Sequence, residues 1–261
     1  MSAFLLRAAA VLLALFLVAP VLWLLVLAAT GSLGKALTDP SVVDALLLSL
    51  LTTVASLAMI VTLGTPLAWL LARREGRATQ VAAVAVDLPM VLPPAVAGLA
   101  LLLLFGRRGP VGSVLDDAGL SLAFTTAAVV LAQTFVAAPF YVRSVRTGFA
   151  AIGREVRDAA RIDGADDWAI FLHVGVPLAA PSLASGAVLA WTRALGEFGA
   201  TIFFAGSLPG VTQTLPLAVY SAFQANLDAA IAAAALLVVA AAGVLAGVRL
   251  FGWPALRPEA A

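Results

Sequence analysis

The stretch RDAARIDGADDWAIFLHVGVP, residues 157–177, is a charged interruption in a sequence made mostly of long apolar runs. Four aspartates and two arginines fall within its first eleven residues. The whole chain of 261 residues is 63% hydrophobic and only 11% charged, whereas a water-soluble domain carries about 25% charged residues. The composition therefore indicates a polytopic membrane protein, in which this stretch is a polar segment between two membrane spans.

Six segments of the chain are apolar enough to cross a lipid bilayer. A transmembrane helix needs about 20 mostly apolar residues to cover the hydrocarbon core. Uncharged or nearly uncharged runs predict spans at approximately 8–32, 43–72, 82–105, 121–142, 178–204 and 228–250. We therefore predict an all-α fold in which residues 1–261 form a single transmembrane domain. The first run is too long for the h-region of a secretion signal, so we expect a retained helix.

Prolines and glycines interrupt two of the apolar regions. Pro89, Pro93 and Pro94 fall in the third predicted span, so we expect that span to be kinked or to start late. Residues 205–227 are also uncharged, but they contain several glycines, prolines and polar side chains. Irregular backbone is not tolerated where it faces lipid. We therefore predict that residues 205–227 form an extracytoplasmic loop or a re-entrant element at the membrane surface.

The basic residues are distributed unevenly between the segments that join the spans. If both termini are cytoplasmic, the cytoplasmic segments hold eleven arginines, whereas the outer segments hold only Lys35, Arg107 and Arg108. Cytoplasmic loops of membrane proteins carry an excess of lysine and arginine. This bias predicts that both termini and the loop 143–177 face the cytoplasm.

Several classes of function are disfavoured by residues that the chain lacks. It has no cysteine and one histidine, His173, so we predict no disulfide and no metal site. A net charge of +1 gives no indication of a nucleic-acid partner. A P-loop needs Gly-x4-Gly-Lys-Ser/Thr, but around the single lysine, Lys35, the first glycine and the hydroxyl residue are missing. We therefore predict no catalytic residue and no nucleotide bound by this chain.

The charged stretch has the local pattern of two short helices joined by a turn. Residues 154–163 can form the first helix, and Gly164 permits the left-handed conformation that ends a helix. Asp166 or Asp167 can then cap the second helix. The pattern therefore predicts a bent helix pair that protrudes from the membrane.

An apolar face on the second short helix allows two interpretations. Trp168, Phe171 and Leu172 are spaced to lie on one helical face. This face could rest on lipid headgroups, or it could bind a cytoplasmic partner. The acidic pair Asp166 and Asp167 disfavours the first interpretation, because the inner leaflet is negatively charged.

A second group of charges lies inside an apolar run, in the stretch WTRALGEFGAT, residues 191–201. Arg193 and Glu197 are four residues apart, a spacing that predicts one face of a helix. Charges within a membrane are costly and are usually paired or functional. The pair could be a structural ion pair, the polar lining of a translocation path, or an interfacial pair. If it lines a path, Gly199 and Thr201 are further candidates, and Gly199 would let another backbone approach closely.

The charged stretch resembles a known motif. Asp158-Ala159-Ala160, three residues, Gly164, nine residues and Val174-Gly175-Val176-Pro177 resemble the "EAA" loop of binding-protein-dependent ABC transporter permeases, Glu-Ala-Ala-x3-Gly-x9-Ile-x-Leu-Pro. In that family the loop is the coupling helix that docks on the ATPase subunit. The residues that we expect to couple to the ATPase are therefore Asp158, Ala159, Ala160, Gly164, Asp166, Asp167, Trp168, Phe171, Leu172 and Pro177.

Other stretches are similar to the molybdate permeases of this family. They are LGTPLAWLLAR (63–73), LPMVLPPAVAGLALLLLFGRRGPVG (88–112), RALGEFGAT (193–201) and FAGSLPGVTQTLPLAVYSAF (204–223). Sulfate permeases share RALGEFGA, so that core does not set the substrate. TQTLPLAVY, residues 212–220, favours molybdate, and tungstate is nearly the same ion in size and charge.

The resemblance implies a permease of the type I ABC importer class in a prokaryotic inner membrane. The chain would be the transport subunit of an ATP-driven oxyanion importer and would itself perform no covalent chemistry. Its expected partners are ABC ATPase subunits, a second permease copy forming a homodimer, an extracytoplasmic oxyanion-binding protein and the lipid bilayer. ATP and Mg would be bound by the ATPase, and this chain would bind no cofactor.

A self-contained secondary transporter or channel is the alternative class, with Arg193 and Glu197 as an ion or proton site. It is disfavoured because the spans show no inverted repeat of the kind many such transporters have. An intramembrane hydrolase is weaker still, because His173 belongs to the charged loop and not to a membrane cleft.

Overall fold

The computed structural model describes residues 3–31, 34, 39–73 and 76–251, with side chains described as far as residue 246. Within these residues every regular element is a helix. Lys35, Arg74 and Arg257, which contribute to the charge bias, lie outside the described residues.

The helices are labelled here in chain order. They are α1 Ala3–Gly31, α2 Pro40–Arg73, α3 Arg77–Val91, α4 Pro94–Phe105, α5 Pro110–Asp117, α6 Thr126–Ala150, α7 Arg154–Ile162, α8 Asp167–Leu178, α9 Ala180–Leu195, α10 Gly199–Phe204, α11 Leu215–Ala225 and α12 Leu227–Phe251. Within α8, residues Ile170–Gly175 have π-helical geometry.

The centre of the bundle is the packing of α2, α6 and α9 against one another. Ile60, Tyr141, Phe149 and Ala190 are almost fully buried in it. Small residues bring α6 and α9 close together, because a Cβ added at Gly148 would lie 2.4 Å from the Ser182 Cβ. Close backbone approach at small residues is the usual way in which helices associate where lipid removes the hydrophobic driving force.

A row of buried hydroxyl groups on α2 joins the other helices of the bundle. The row consists of Ser49, Thr52, Thr53 and Ser56, all at most 2% exposed. The Gln133 side chain on α6 donates to the Thr52 hydroxyl at 3.2 Å, and the Trp191 indole on α9 donates to Thr53 at 3.1 Å. The Leu215 backbone N–H of α11 donates to Ser49 at 2.6 Å. Buried hydrogen bonds therefore fix the register of four helices within an apolar bundle.

Among the described residues, four single helices are long and apolar enough to cross a membrane. Two bent pairs of helices also pass this test, so the number of spans rises to six if each pair is counted as one span. The segment predicted as the third span, 82–105, covers most of α3 and all of α4. The chain bends by 115° between these two helices, next to Pro93 and Pro94. The second bent pair is α8 and α9, at 74°. Proline removes a backbone donor and so marks the first break.

Two further predicted segments differ from the structure in detail. The fifth predicted span, 178–204, is not one helix, because α9 ends at Leu195 and α10 begins at Gly199. The predicted loop 205–227 contains the eleven-residue helix α11. This helix packs against α12 and α2. The glycines and prolines of the segment did not indicate it.

The segments that join helices come together at opposite ends of the bundle. The Arg73 side chain at the end of α2 bonds to Asp167 of the charged loop. At the other end, the Thr126 hydroxyl donates to the Val211 carbonyl and the Phe124 N–H donates to the Phe204 carbonyl. The described parts of two segments assigned to the cytoplasm, at Arg73 and Asp167, therefore lie together at one end. The segments that hold Phe124 and Val211 lie together at the other.

Candidate functional site

The charged loop forms a bent pair of helices, α7 and α8, which we call the arm (residues 154–178). Gly164 joins them with φ of +89°, the left-handed conformation that the sequence predicts. The Gly164 N–H donates to the Arg161 carbonyl, and the Ala165 N–H donates to the Ala160 carbonyl. These bonds satisfy carbonyls at the end of α7, as in helices that end on a glycine. The turn therefore sets the direction of α8.

Asp166 caps α8. Its Oδ1 accepts a hydrogen bond from the Ala169 N–H at 2.7 Å. Of the two aspartates that the sequence offered as caps, Asp166 has this role. Asp167 instead accepts hydrogen bonds from Arg73 at 2.9 Å and from Arg161 at 3.1 Å. The bonds from Arg73 and then Arg161 hold the pKa of the Asp167 carboxyl below its usual value.

Trp168 and Phe171 of α8 lie side by side, with ring centroids 5.3 Å apart, but the three apolar residues of the predicted face differ in burial. Phe171 is 7% exposed and packs on Trp69 and Phe149, with ring centroids 5.6 and 6.3 Å away. Trp168 is 64% exposed, and Leu172 is exposed too. The spacing did not indicate the π-helical turn that begins at Ile170, which has i→i+5 bonds and a wider turn. Phe171 therefore anchors the arm to the bundle.

The exposed surface of the arm combines apolar and charged groups. Ile162 is 86% exposed, and Trp168 and Leu172 are further large apolar side chains exposed on the arm. Sequence reasoning missed Ile162, although it is the last residue of α7 and directly precedes an aspartate. Exposed apolar residues rimmed by polar ones mark interaction sites. Asp158, Ala159 and Pro177 are exposed too, whereas Ala160 is half-buried against the bundle.

Arg193 and Glu197 form an ion pair inside the bundle, with Arg193 Nη1 2.7 Å from Glu197 Oε2. The Glu197 side chain is 1% exposed, and that of Arg193 is 29% exposed. The prediction that both lie on one helical face is wrong, because α9 ends at Leu195. Glu197 lies in the break, where its Oε1 accepts a hydrogen bond from the Ala200 N–H at 2.7 Å. The carboxylate thus balances the charge of Arg193 and accepts a hydrogen bond from the first turn of α10.

The two broken regions of the chain meet beside this ion pair. A Cβ added at Gly199 would lie 2.6 Å from the Pro94 Cβ, and one added at Gly98 would lie 2.5 Å from the Ala200 carbonyl oxygen. The start of α4 therefore packs directly on α10. Thr201 is fully buried, and its hydroxyl has no hydrogen-bond partner among the described residues. The sequence indicated Gly199 and Thr201 but not Pro94 or Gly98.

Comparison with known proteins places this geometry in a family. The model of the family described as "Binding-protein-dependent transport system inner membrane component" matches residues 64–250, most of the chain. The chain belongs to this family. The match includes both the arm and the broken helices around Arg193.

Several curated members are similar over most of their length. The "Molybdenum transport system permease protein ModB" of Mycobacterium tuberculosis is 49% identical over 212 residues, which cover 81% of this chain and 80% of that protein. The protein of the same name in Escherichia coli K12 is 41% identical over 72% of this chain and 82% of its own length. The "Probable transport system permease protein NifC" of Clostridium pasteurianum is 36% identical over 83% of this chain and 76% of its own length.

Solved structures have the same fold at low identity. A chain of a bacterial ABC transporter that imports the acidic polysaccharide alginate has a TM-score of 0.76 and 17% identity, covering 95% of both chains. A chain of the MetNI methionine ABC transporter in an inward-facing conformation has a TM-score of 0.64 and 20% identity, covering 83% of this chain and 96% of that one.

This chain is therefore the permease subunit of an ABC importer and a multi-pass protein of a prokaryotic inner membrane. The predicted all-α permease fold and the resemblance to this family are confirmed. The chain is a transport subunit and not an enzyme, which removes the intramembrane hydrolase and the self-contained transporter as alternatives. The roles assigned to the arm, the ion pair and Thr201, and the side of the membrane on which the termini lie, stay predictions.

Proposed function

We propose that this permease imports molybdate. The observation that carries the proposal is the 49% identity, over four-fifths of both chains, to a protein named for molybdenum transport. The sequence TQTLPLAVY, residues 212–220, favours the same substrate. Sulfate and tungstate are the alternatives, and tungstate differs least from molybdate in size and charge.

We propose that the working importer contains two copies of this chain, two ABC ATPase subunits and an extracytoplasmic oxyanion-binding protein. One solved relative is described in complex with a substrate-bound periplasmic protein. ATP and Mg belong to the ATPase subunits, and this chain holds neither. The two ATPase states bias a bundle that alternates between two arrangements, since a ligand or motor shifts an equilibrium only by its differential interaction with the two states.

The arm is suited to transmit force from the ATPase. Its tip exposes Ile162, Trp168 and Leu172, while its base is held by Phe171 in the bundle and by Asp167 on Arg73 at the end of α2. A partner that moves the tip therefore pulls on α2, α6 and α9 together. A flexible loop could not do this, because it would absorb the movement in its own backbone.

The ion pair is suited to assist an anion through the bundle. Arg193 is the more accessible member of the pair, so a passing oxyanion reaches the cation before the carboxylate. A guanidinium lowers the desolvation cost of a dianion. Glu197 offsets part of the positive charge, which prevents the ion from being held too tightly for transport.

Uptake into proteoliposomes tests the proposed substrate. The permease with its ATPase is reconstituted with Mg-ATP inside, and the binding protein and labelled molybdate are added outside. We expect ATP-dependent molybdate uptake that tungstate inhibits at equal concentration and that sulfate does not. An ATPase variant that cannot hydrolyse ATP is the control. Equal inhibition by sulfate would assign the chain to sulfate import and contradict the proposal.

Single cysteines test the proposed orientation, because the chain has none of its own. Asp166 on the arm and Arg108 near the opposite end are both exposed. We expect a membrane-impermeant maleimide added to intact cells to label Arg108→Cys and not Asp166→Cys. Inverted vesicles should reverse this result. Labelling of Asp166→Cys from outside would reject the cytoplasmic position of the arm.

A further inference from the structure

A groove lies between α6 and α9 in the half of the bundle nearer to the arm. It has a volume of about 480 Å³ and is lined on its polar side by Arg143, Ser144, Thr147, Ser182 and Ser185. Met90 of α3 closes one apolar side. A guanidinium and hydroxyl groups are donors that bind oxyanions, and none of the described residues that line the groove is a carboxylate.

Arg143 is the distinctive residue of this groove. It lies within α6, seven residues before the end of the helix at Ala150. Among the described residues, no carboxylate lies within ion-pair distance of its guanidinium, whereas Arg193 is paired with Glu197 at 2.7 Å. Arg143 is exposed and begins the segment 143–177, which the arginine bias assigns to the cytoplasmic side. The groove therefore holds a positive charge without a counter-charge from the described part of this chain.

The hydroxyl groups around Arg143 are held by backbone carbonyls. Ser144 Oγ donates to the Ser182 carbonyl at 3.0 Å, Thr147 Oγ1 donates to the Arg143 carbonyl at 3.0 Å, and Ser185 Oγ donates to the Pro181 carbonyl at 2.7 Å. A hydroxyl hydrogen rotates to suit its surroundings. These groups can therefore turn towards a ligand without a change in the backbone.

The groove is aligned with the ion pair through α9. Ser182, Ser185, Leu189 and Arg193 are separated by three, four and four residues, so they lie along one side of this helix. At about 1.5 Å per residue, Ser182 and Arg193 are about 16 Å apart along the helix axis. One line of side chains thus connects Arg193 with the groove at the arm end.

We propose that this groove is a second oxyanion site, which receives the ion after it has passed Arg193. The inference rests on the proposed function and adds a binding site to it. The guanidinium of Arg143 presents paired donors to two oxygens of a tetrahedral dianion, and the serine and threonine hydroxyls bind the others. Arg143 is exposed, so water screens its charge and the ion is released towards the arm side.

Tungstate binding to the nucleotide-free complex of permease and ATPase, without binding protein, tests this site. Bound tungstate is measured by equilibrium dialysis and elemental analysis. We expect Arg143→Gln to weaken binding about tenfold or more, the loss expected for a charged hydrogen-bond donor, and to slow uptake. Arg146→Gln is the matched control, because it removes the same charge three residues further along α6 and outside the groove. It should bind tungstate like the wild type.

A second variant, Ser182→Ala with Ser185→Ala, keeps the charge and should weaken tungstate binding several-fold even if Arg143→Gln folds poorly. Equal binding in wild type, Arg143→Gln and Arg146→Gln would overturn the site. So would native mass spectrometry in which Arg143→Gln loses an anionic phospholipid while tungstate binding is unchanged. If the wild-type importer takes up molybdate, either of these results rejects the groove as a binding site and leaves the proposed function intact. If the wild-type importer takes up no molybdate, the proposed function itself is rejected.

Discussion

Of the carboxylates that arginine binds in this permease, Glu197 lies inside the bundle and Asp167 lies on the arm. Glu197 is 1% exposed and is bound by Arg193 at 2.7 Å and by the Ala200 N–H. Asp167 is 69% exposed and is bound by Arg73 at 2.9 Å and by Arg161 at 3.1 Å. The distances from carboxylate to arginine are similar, so the two sites differ mainly in their surroundings.

The surroundings decide what each pair contributes. In the bundle little water reaches the Glu197 carboxylate, so its charge depends on Arg193. On the arm, water solvates Asp167 and Arg161, whereas Arg73 is 18% exposed and lies 4.8 Å from the centroid of the Trp69 ring. Ion pairs with an exposed carboxylate contribute little to stability. The arm must therefore be held mainly by Phe171 on Trp69 and Phe149. The charges of the arm orient it, whereas the charges of the bundle hold the break between α9 and α10.

The largest effect is expected from breaking the buried pair. Arg193→Gln leaves the Glu197 carboxylate buried without its cation, and such losses typically cost about 3–5 kcal/mol. Glu197→Gln should cost less, because the Arg193 side chain is 29% exposed and can reach water. Its new amide oxygen can still accept from the Ala200 N–H. Folded yield after detergent extraction and size exclusion is the measurement.

The double variant of this pair separates a structural role from transport. Arg193→Gln with Glu197→Gln should recover folded yield relative to Arg193→Gln, because no charge is left uncompensated. If Arg193 assists the oxyanion, the well-folded double variant still fails to take up molybdate. Normal uptake by well-folded Arg193→Gln would remove the pathway role. Equal yields in all variants would remove the structural one.

The next largest effect is expected when exposed Trp168 on the arm is replaced, in contrast to buried Phe171 on the same helix. Trp168→Ala removes an exposed aromatic side chain, and a buried aromatic anchor in an interface is typically worth about 2 kcal/mol or more. We expect ATPase co-purification and uptake to fall while the folded yield stays normal. Phe171→Ala is the contrasting variant, because it removes a buried ring and should lower the folded yield itself. Unchanged assembly in Trp168→Ala would favour a lipid-bound arm.

The two regions also differ in how much of them the sequence reveals. The turn at Gly164 and a cap at Asp166 or Asp167 follow from local chemistry, so residue type predicts them. The position of Phe171 does not, because it depends on a π-helical turn packed against Trp69 and Phe149. The membrane spans follow from apolar runs, but the 115° angle between α3 and α4 depends on the packing of α10 against Pro94.

The pairing of Arg193 with Glu197 could also be predicted from residue type. Two opposite charges in an apolar run must find each other, whatever the backbone does. The break at Glu197 could not be inferred from the spacing, since Arg193 and Glu197 at i and i+4 fit an unbroken helix equally well. The missing information is the contact between Gly199 and Pro94, which joins residues far apart in sequence.

A smaller effect is expected at the Gly164 turn. No atom lies within 4 Å of an added Cβ, so the cost of Gly164→Ala comes from φ of +89° alone, about 1 kcal/mol. Gly164→Val should cost more. Both should misdirect α8 and reduce ATPase co-purification. Gly210→Ala is the matched control, since Gly210 has φ of +72° and equally open space but lies at the opposite end of the bundle. If Gly164→Val couples normally, the turn does not direct the arm.

The smallest effect is expected from Asp167→Asn, which weakens the exposed bonds to Arg73 and Arg161. The pKa of Asp167 is lowered in the folded protein by these bonds. Their contribution is therefore fully present above the pKa of the unfolded chain and is lost only as the pH falls through the lower, folded value. Thermal stability of the wild type should show no effect of this group between pH 6 and pH 8. Over the same range Asp167→Asn should be only slightly less stable, and high salt should reduce the difference because exposed charges are screened. A large loss of stability that salt does not reduce would mean that the arm is held by this pair and not by Phe171.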